Sequence, residues 1–128
     1  MIYLDTSVAL AHLLAEDRRP PSELWAEELV ASRLLEYELW NRLHAMDLGA
    51  SHGDAARLIL GCVSLLELRP SVLERALRPF PVPVRTLDAL HLASVTFLRE
   101  RGKDVAVATY DERMAGACRA MGLRLVAL

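Results

Sequence analysis

Residues 105–126, VAVATYDERMAGACRAMGLRLV, hold a complete strand–helix–strand pattern. Val105, Val107 and Thr109 place β-branched residues at alternate positions, which predicts a strand over residues 105–109. A helix over 111–121 follows, opened by Asp111 and closed by Gly122, and residues 123–126 return to strand. Strands separated by a helix of this length run parallel, because a parallel pair needs a crossover where an antiparallel pair needs only a tight turn.

The same alternation extends back along the chain. Residues 2–4 read as a short buried strand and 7–15 as a helix, ended by the prolines of DRRPP. Ser22 is expected to cap a helix through residue 28, with LVAS (29–32) as the next strand. A long helix is expected over 34–48, stopped near Gly49, then a helix over 53–66 and a strand at 67–69. A short helix at 71–77 precedes RPFPVPV (78–84), whose three prolines make an irregular connector. Thr86 is expected to cap a strong helix running to Arg101, with Gly102 behind it. These elements predict a single domain, residues 1–128, of the three-layer α/β/α class with a central, mainly parallel sheet.

The 128 residues are enough for one hydrophobic core, and 53% hydrophobic with 5% aromatic content suits an α/β interior. Fifteen Lys and Arg against 17 Asp and Glu give a net charge of −2, so no global cationic field draws the chain to nucleic acid. Cys62 and Cys118 sit in no metal or redox spacing and are expected to be buried free thiols in a reducing compartment. The four histidines form no HExxH pair. No targeting segment or membrane span is legible, which predicts a soluble, cytoplasmic protein.

In a parallel sheet the ligand crevice lies beyond the carboxyl ends of the strands. Asp5, Asp88 and Asp111 fall at strand ends or helix starts there, and Glu38 lies one turn into the helix after LVAS. Each has an ordinary explanation. Asp5, Asp88 and Asp111 suit helix caps or the positive end of a helix dipole, and Glu38 has Arg42 at i+4 as an ion-pair partner. Four carboxylates on one rim, however, repel one another unless a cation neutralises them, and an all-oxygen set suits Mg²⁺ or Mn²⁺.

Four segments then carry a resemblance. MIYLDTSVAL, SRLLEYELWNRL, RTLDALHLA and ATYDERMAGACRAMGL, in this order and spacing, resemble the PIN domain, and in particular the VapC-type toxin ribonucleases of toxin–antitoxin pairs. The resemblance implies the PIN fold with strand order 3-2-1-4-5 and metal-binding, catalytic acids at Asp5, Glu38, Asp88 and Asp111. It further implies cleavage of RNA, an antitoxin partner that covers the acidic cleft, and a homodimer. Glu36 and Glu38 lie about 200° apart around a helix, so only one faces the site; the spacing from Ser32 favours Glu38. Thr6, Ser7 and Thr109 are candidates to orient carboxylates or a water. Arg42, Arg85, His91 and Arg113 are candidates for substrate phosphate, each also readable as a surface charge.

No Ser–His–Asp or Cys–His arrangement is legible, so the expected chemistry is attack by a metal-activated water. Two rivals stand beside this reading. One is a PIN-like binding module without catalysis. The other is a metal-dependent phosphatase of another α/β family, although the Asp-x-Asp pattern of haloacid dehalogenases is broken by Ser7.

Overall fold

The computed structural model describes residues 1–128. Five strands, β1 (Ile2–Leu4), β2 (Leu29–Ser32), β3 (Val63–Leu66), β4 (Ala106–Ala108) and β5 (Arg124–Leu125), form one sheet. Its order is β3-β2-β1-β4-β5 and every pairing is parallel. The connections carry α1 (Thr6–Leu13), α2 (Leu34–Ala45), α3 (Gly49–Gly61), α4 (Pro70–Ala76), α5 (Thr86–Glu100) and α6 (Glu112–Ala120). Both the α/β/α class and the strand order are as expected. β1 therefore lies centrally, with Tyr3 opposite Val30 on one side and Val107 on the other.

The pleat of these strands sorts the core into two layers. Tyr3, Val30 and Val107 point to one face, where Val72, Leu92, Val95, Met114 and Cys118 pack on them. Leu4, Ala31 and Ala108 point to the other, against Val8, Leu35, Leu39, Leu43 and Ile59. All residues of β2 and β4 are buried, as strands covered on both faces must be. Helix α5 is buried over most of its circumference, from Ala89 to Leu98. Its Ser94 and Thr96 hydroxyls are satisfied by donating to the carbonyls of Leu90 and Leu92, both at 2.9 Å.

Several boundaries differ from the sequence expectation. Residues 22–26 form a 3₁₀ turn rather than an α-helix, and Ser22 lies inside it behind Pro21. Gly49 starts α3 instead of ending α2. The turn between them is made by Asp47 at φ 55°, a left-handed conformation that a short polar side chain tolerates, with Leu48 N–H closing on Leu43 C=O at 2.8 Å. The third strand is Val63–Leu66, four residues earlier than the 67–69 expected, because α3 stops at Gly61 and Val63 pairs with Leu29. Thr86 is the first residue of α5, whose cap position is Arg85 with no side-chain cap. Gly102, at φ 79°, does end that helix. Cys118 is buried as expected, its thiol pushed up to about 12 by burial, whereas Cys62 is exposed.

Candidate active site

β1 ends in Asp5, which lies beside the end of β4: its backbone N–H donates to Ala108 C=O at 3.0 Å. Asp5 is the N-cap of α1 and is buried, 6% exposed. Its Oδ2 accepts from Ser7 Oγ at 2.5 Å, Thr109 Oγ1 at 2.8 Å and Ser7 N–H at 3.3 Å. The same two hydroxyls accept from the far side. Tyr110 N–H donates to Ser7 Oγ at 2.9 Å and Asp111 N–H to Thr109 Oγ1 at 3.0 Å. Ser7 and Thr109 thus stitch the β1–α1 turn to the β4–α6 turn and hold one oxygen of Asp5. No protein donor reaches Oδ1, and it is not among the buried atoms lacking a partner, so it faces solvent. Asp5 is both the helix cap and the residue with a free oxygen.

Asp111 caps α6 through Oδ1, which accepts from Arg113 N–H at 2.9 Å and Met114 N–H at 3.4 Å. Asp88 lies in the first turn of α5. Partial burial, then the nearby Asp111 and Asp5 charges, push its carboxyl above the usual carboxylate range; Arg113 opposes the shift. The three aspartates therefore act on one another electrostatically across the carboxyl ends of β1 and β4.

Glu38 projects from α2 and is not paired with Arg42. Its Oε1 lies 2.6 Å from His91 Nε2, and His91 Nδ1 lies 2.7 Å from Tyr3 Oη. Burial opposes a charge on His91, but the Glu38 hydrogen bond and the surrounding Glu38, Asp5 and Asp88 charges outweigh it and raise its ionisation. With the ring 2% exposed, His91 cannot meet a substrate phosphate, which corrects that expectation. Glu36 pairs with Arg33 at 3.0 Å, while Glu38 is the one of the two that lines the cleft.

Glu38, Thr6, Leu10, Asn41 and Arg42 line a cleft of about 470 Å³. Leu10 and Arg42 also belong to an adjoining hollow that reaches Ser7, Arg18, Tyr110 and Asp111. On the other side Arg85 and Arg113 flank Asp88. The Thr6 hydroxyl is buried without a partner and touches no carboxylate, unlike Ser7 and Thr109. No three acidic, histidine or cysteine side chains are gathered into a ready-made cage for an ion. A larger hollow, of about 700 Å³, lies between α4, the proline connector and the start of α5, and none of the four acids lines it.

The link from Tyr3 through His91 to Glu38 was missed in the sequence. Its one visible trace is the spacing of Asp88 and His91, three residues apart on a helix and hence on one face.

Asp88 yields a first prediction. A carboxyl whose folded pKa lies above its unfolded value costs stability once the pH exceeds that unfolded value, and the cost vanishes as the pH falls towards about 4. Asp88→Asn should therefore stabilise the metal-free protein at pH 7, by no more than ~1 kcal/mol given its partial exposure, with the gain shrinking towards pH 4. Urea titrations at the two pH values measure it; destabilisation at pH 7 contradicts the mutual repulsion.

Fold and cleft together define the class, a parallel α/β protein with acidic side chains along the carboxyl ends of its strands, where the strand order reverses. The PIN-domain family profile matches residues 2–120, and the chain belongs to that family and, within it, to the VapC group. Ribonuclease VapC46 of Mycobacterium tuberculosis is 35% identical, covering 98% of this chain and 96% of the relative. Ribonuclease VapC47 from the same species is 30% identical over 95% and 93%. Two solved structures share the fold. The M. tuberculosis VapC20 structure, described as a sarcin–ricin loop cleaving toxin, has a TM-score of 0.69 at 23% identity, covering 91% of this chain and 95% of that one. A toxin–antitoxin complex from Klebsiella pneumoniae has a TM-score of 0.70 at 15% identity, covering 99% and 97%. No helix is long and apolar enough to cross a membrane.

Proposed function

We propose that this chain is a metal-dependent endoribonuclease, the toxin of a toxin–antitoxin pair, acting in the cytoplasm on single-stranded or loop RNA. The observation that carries the reading is the half-satisfied Asp5 carboxylate, one oxygen held by three donors and the other open, beside an Asp88 whose ionisation is opposed by Asp5 and Asp111. Such a set suits a hard divalent cation, Mg²⁺ or Mn²⁺. All donors are oxygens, and a cation relieves the repulsion that raises Asp88. Asp5, Glu38, Asp88 and Asp111 would hold the ion directly or through waters, and the acids must draw inward to do so, since no three are yet gathered. When bound, a divalent ion supplies a Lewis acid for the phosphate, a lowered pKa for the attacking water and stabilisation of the leaving oxygen.

The chain's own residues supply the rest. Ser7 and Thr109 fix the inner oxygen of Asp5, so its outer oxygen is presented at one angle. Arg42, Arg85 and Arg113 are exposed around the acids and would take neighbouring phosphates. A recessed acidic site needs a phosphodiester that can bend into it, which a stacked A-form duplex resists. With a net charge of −2 the protein must hold RNA by a few local contacts, which favours selective cleavage.

The partners follow from the relatives. VapC46 and VapC47 are named ribonucleases, and the Klebsiella structure is a toxin–antitoxin complex. We extend both to this chain, with an antitoxin whose cationic side chain reaches the acids. We also propose a homodimer. Leu43 is interior and Trp25 and Trp40 are half-buried, while Met46, Tyr37 and Leu58 are exposed and offer apolar surface to a second copy.

Purified protein free of antitoxin should cut cellular RNA at discrete 5′ ends in Mn²⁺ or Mg²⁺ and stop in EDTA. Light scattering at micromolar concentration should give twice the 14.2 kDa chain mass. RNA left whole in both metals overturns the nuclease reading, and RNA bound without cleavage returns the chain to a binding module.

A further inference from the structure

We infer that His91 is a positioning residue, fixing where the Glu38 carboxylate stands through a buried hydrogen-bonded chain anchored in the sheet. What Glu38 then does rests on the proposed metal-dependent reading; the hold itself does not.

The chain has a direction. Ser32 N–H donates to Tyr3 Oη at 3.0 Å, and a backbone amide can only donate, so the tyrosine oxygen accepts there. With a neutral ring, the Tyr3 proton is then free for His91 Nδ1 at 2.7 Å. That leaves the ring proton on Nε2, aimed at Glu38 Oε1 at 2.6 Å. A carboxylate only accepts, so Nε2 is the donor whether the ring carries one proton or two. The members come from β2, β1, α5 and α2, which ties four elements at one point.

Burial shows which end matters. Ser32, Tyr3 and His91 are 0%, 1% and 2% exposed, whereas the Glu38 side chain is 24% exposed and lines the cleft. Any buried histidine must satisfy its ring nitrogens, and a backbone carbonyl would serve. Here Nε2 is spent instead on the one acid of α2 that faces the cleft. A glutamate at a cleft edge ordinarily samples several rotamers, and this donor selects one while leaving Oε2 without a protein partner. Asp88 precedes His91 by three residues, so the same face of α5 delivers both an acid and the anchor of another.

Two near-isosteric variants separate positioning from packing. His91→Asn keeps a polar atom near the Nδ1 position for Tyr3 and loses the reach to Glu38. His91→Gln places an amide N–H near the Nε2 position and gives up the Tyr3 contact. In metal-free crystals Glu38 should occupy one position in wild type and His91→Gln, and spread over several rotamers in His91→Asn. By calorimetry without RNA, Mn²⁺ affinity should fall about tenfold in His91→Asn and largely recover in His91→Gln. An unmoved Glu38 in His91→Asn, unchanged Mn²⁺ affinity in that variant, or equal losses in both variants overturns the inference. If His91→Asn does not fold, His91→Gln decides alone, and a displaced Glu38 there overturns it. If the wild type binds no Mn²⁺ and cuts no RNA, the nuclease reading falls, while the metal-free position of Glu38 still decides this one.

Discussion

Asp5→Asn is expected to lower RNA cleavage by ~10²–10³-fold or more while leaving the melting curve of the metal-free protein nearly unchanged. The separation follows from the two oxygens of Asp5. Asparagine is as good an N-cap as aspartate, and its carbonyl oxygen can take the place of Oδ2. There it accepts from Ser7 Oγ, Ser7 N–H and Thr109 Oγ1, so the link between the β1–α1 and β4–α6 turns survives. The amide NH₂ then occupies the open position, where a lone pair and a negative charge are replaced by two donors that repel a cation. Calorimetry with Mn²⁺ should show weakened binding alongside the lost cleavage, and 5′-end mapping in cells should show the wild-type cuts missing. Cleavage retained within a few-fold would remove Asp5 from the reaction and leave it a helix cap.

How much of this was legible beforehand depends on the range over which each feature is encoded. The parallel architecture was readable because VAVAT and the Gly122-terminated helix carry their patterns within ten residues or so, and Asp5 and Asp111 stood out because they follow strands and cap the next helices. The boundary between α3 and β3 was not. Leucine serves both states, and only the pairing of Val63 with Leu29 decides where the helix stops. Gly49 misled for the same reason. A glycine signals a helix end locally, but Asp47 had already made the left-handed turn. The role of His91 lies furthest out of reach. Its partners are 88 and 53 residues away in sequence, and nothing near it in the chain distinguishes a buried link from a surface charge. Glu38 could be chosen over Glu36, but the hydrogen bond that holds it could not be read from α2 alone.

The second large effect concerns the layer of core beneath that helix. Leu39→Ala should cost about 2–5 kcal/mol, a substantial share of the ~5–15 kcal/mol typical of a folded domain. Leu39 is wholly buried and packs with Leu4, Val8, Leu35 and Leu43 on the α1–α2–α3 side of the sheet. Neighbouring side chains come from helices and a central strand, whose backbones cannot collapse into the space without breaking ladder bonds, so a cavity remains. Leu77, 87% exposed, supplies the control, and its alanine variant should stay within about 0.5 kcal/mol of wild type. Urea titrations of the three proteins measure the difference. Because Leu39 lies in the other core layer from Tyr3 and forms no part of the hydrogen-bonded chain, the folded fraction of Leu39→Ala should retain its cleavage rate per folded molecule at low temperature. An alanine variant as stable as wild type would mean that this layer is not closed against α2. A variant that stays folded but loses its rate would mean that packing under α2, as well as His91, sets the place of Glu38.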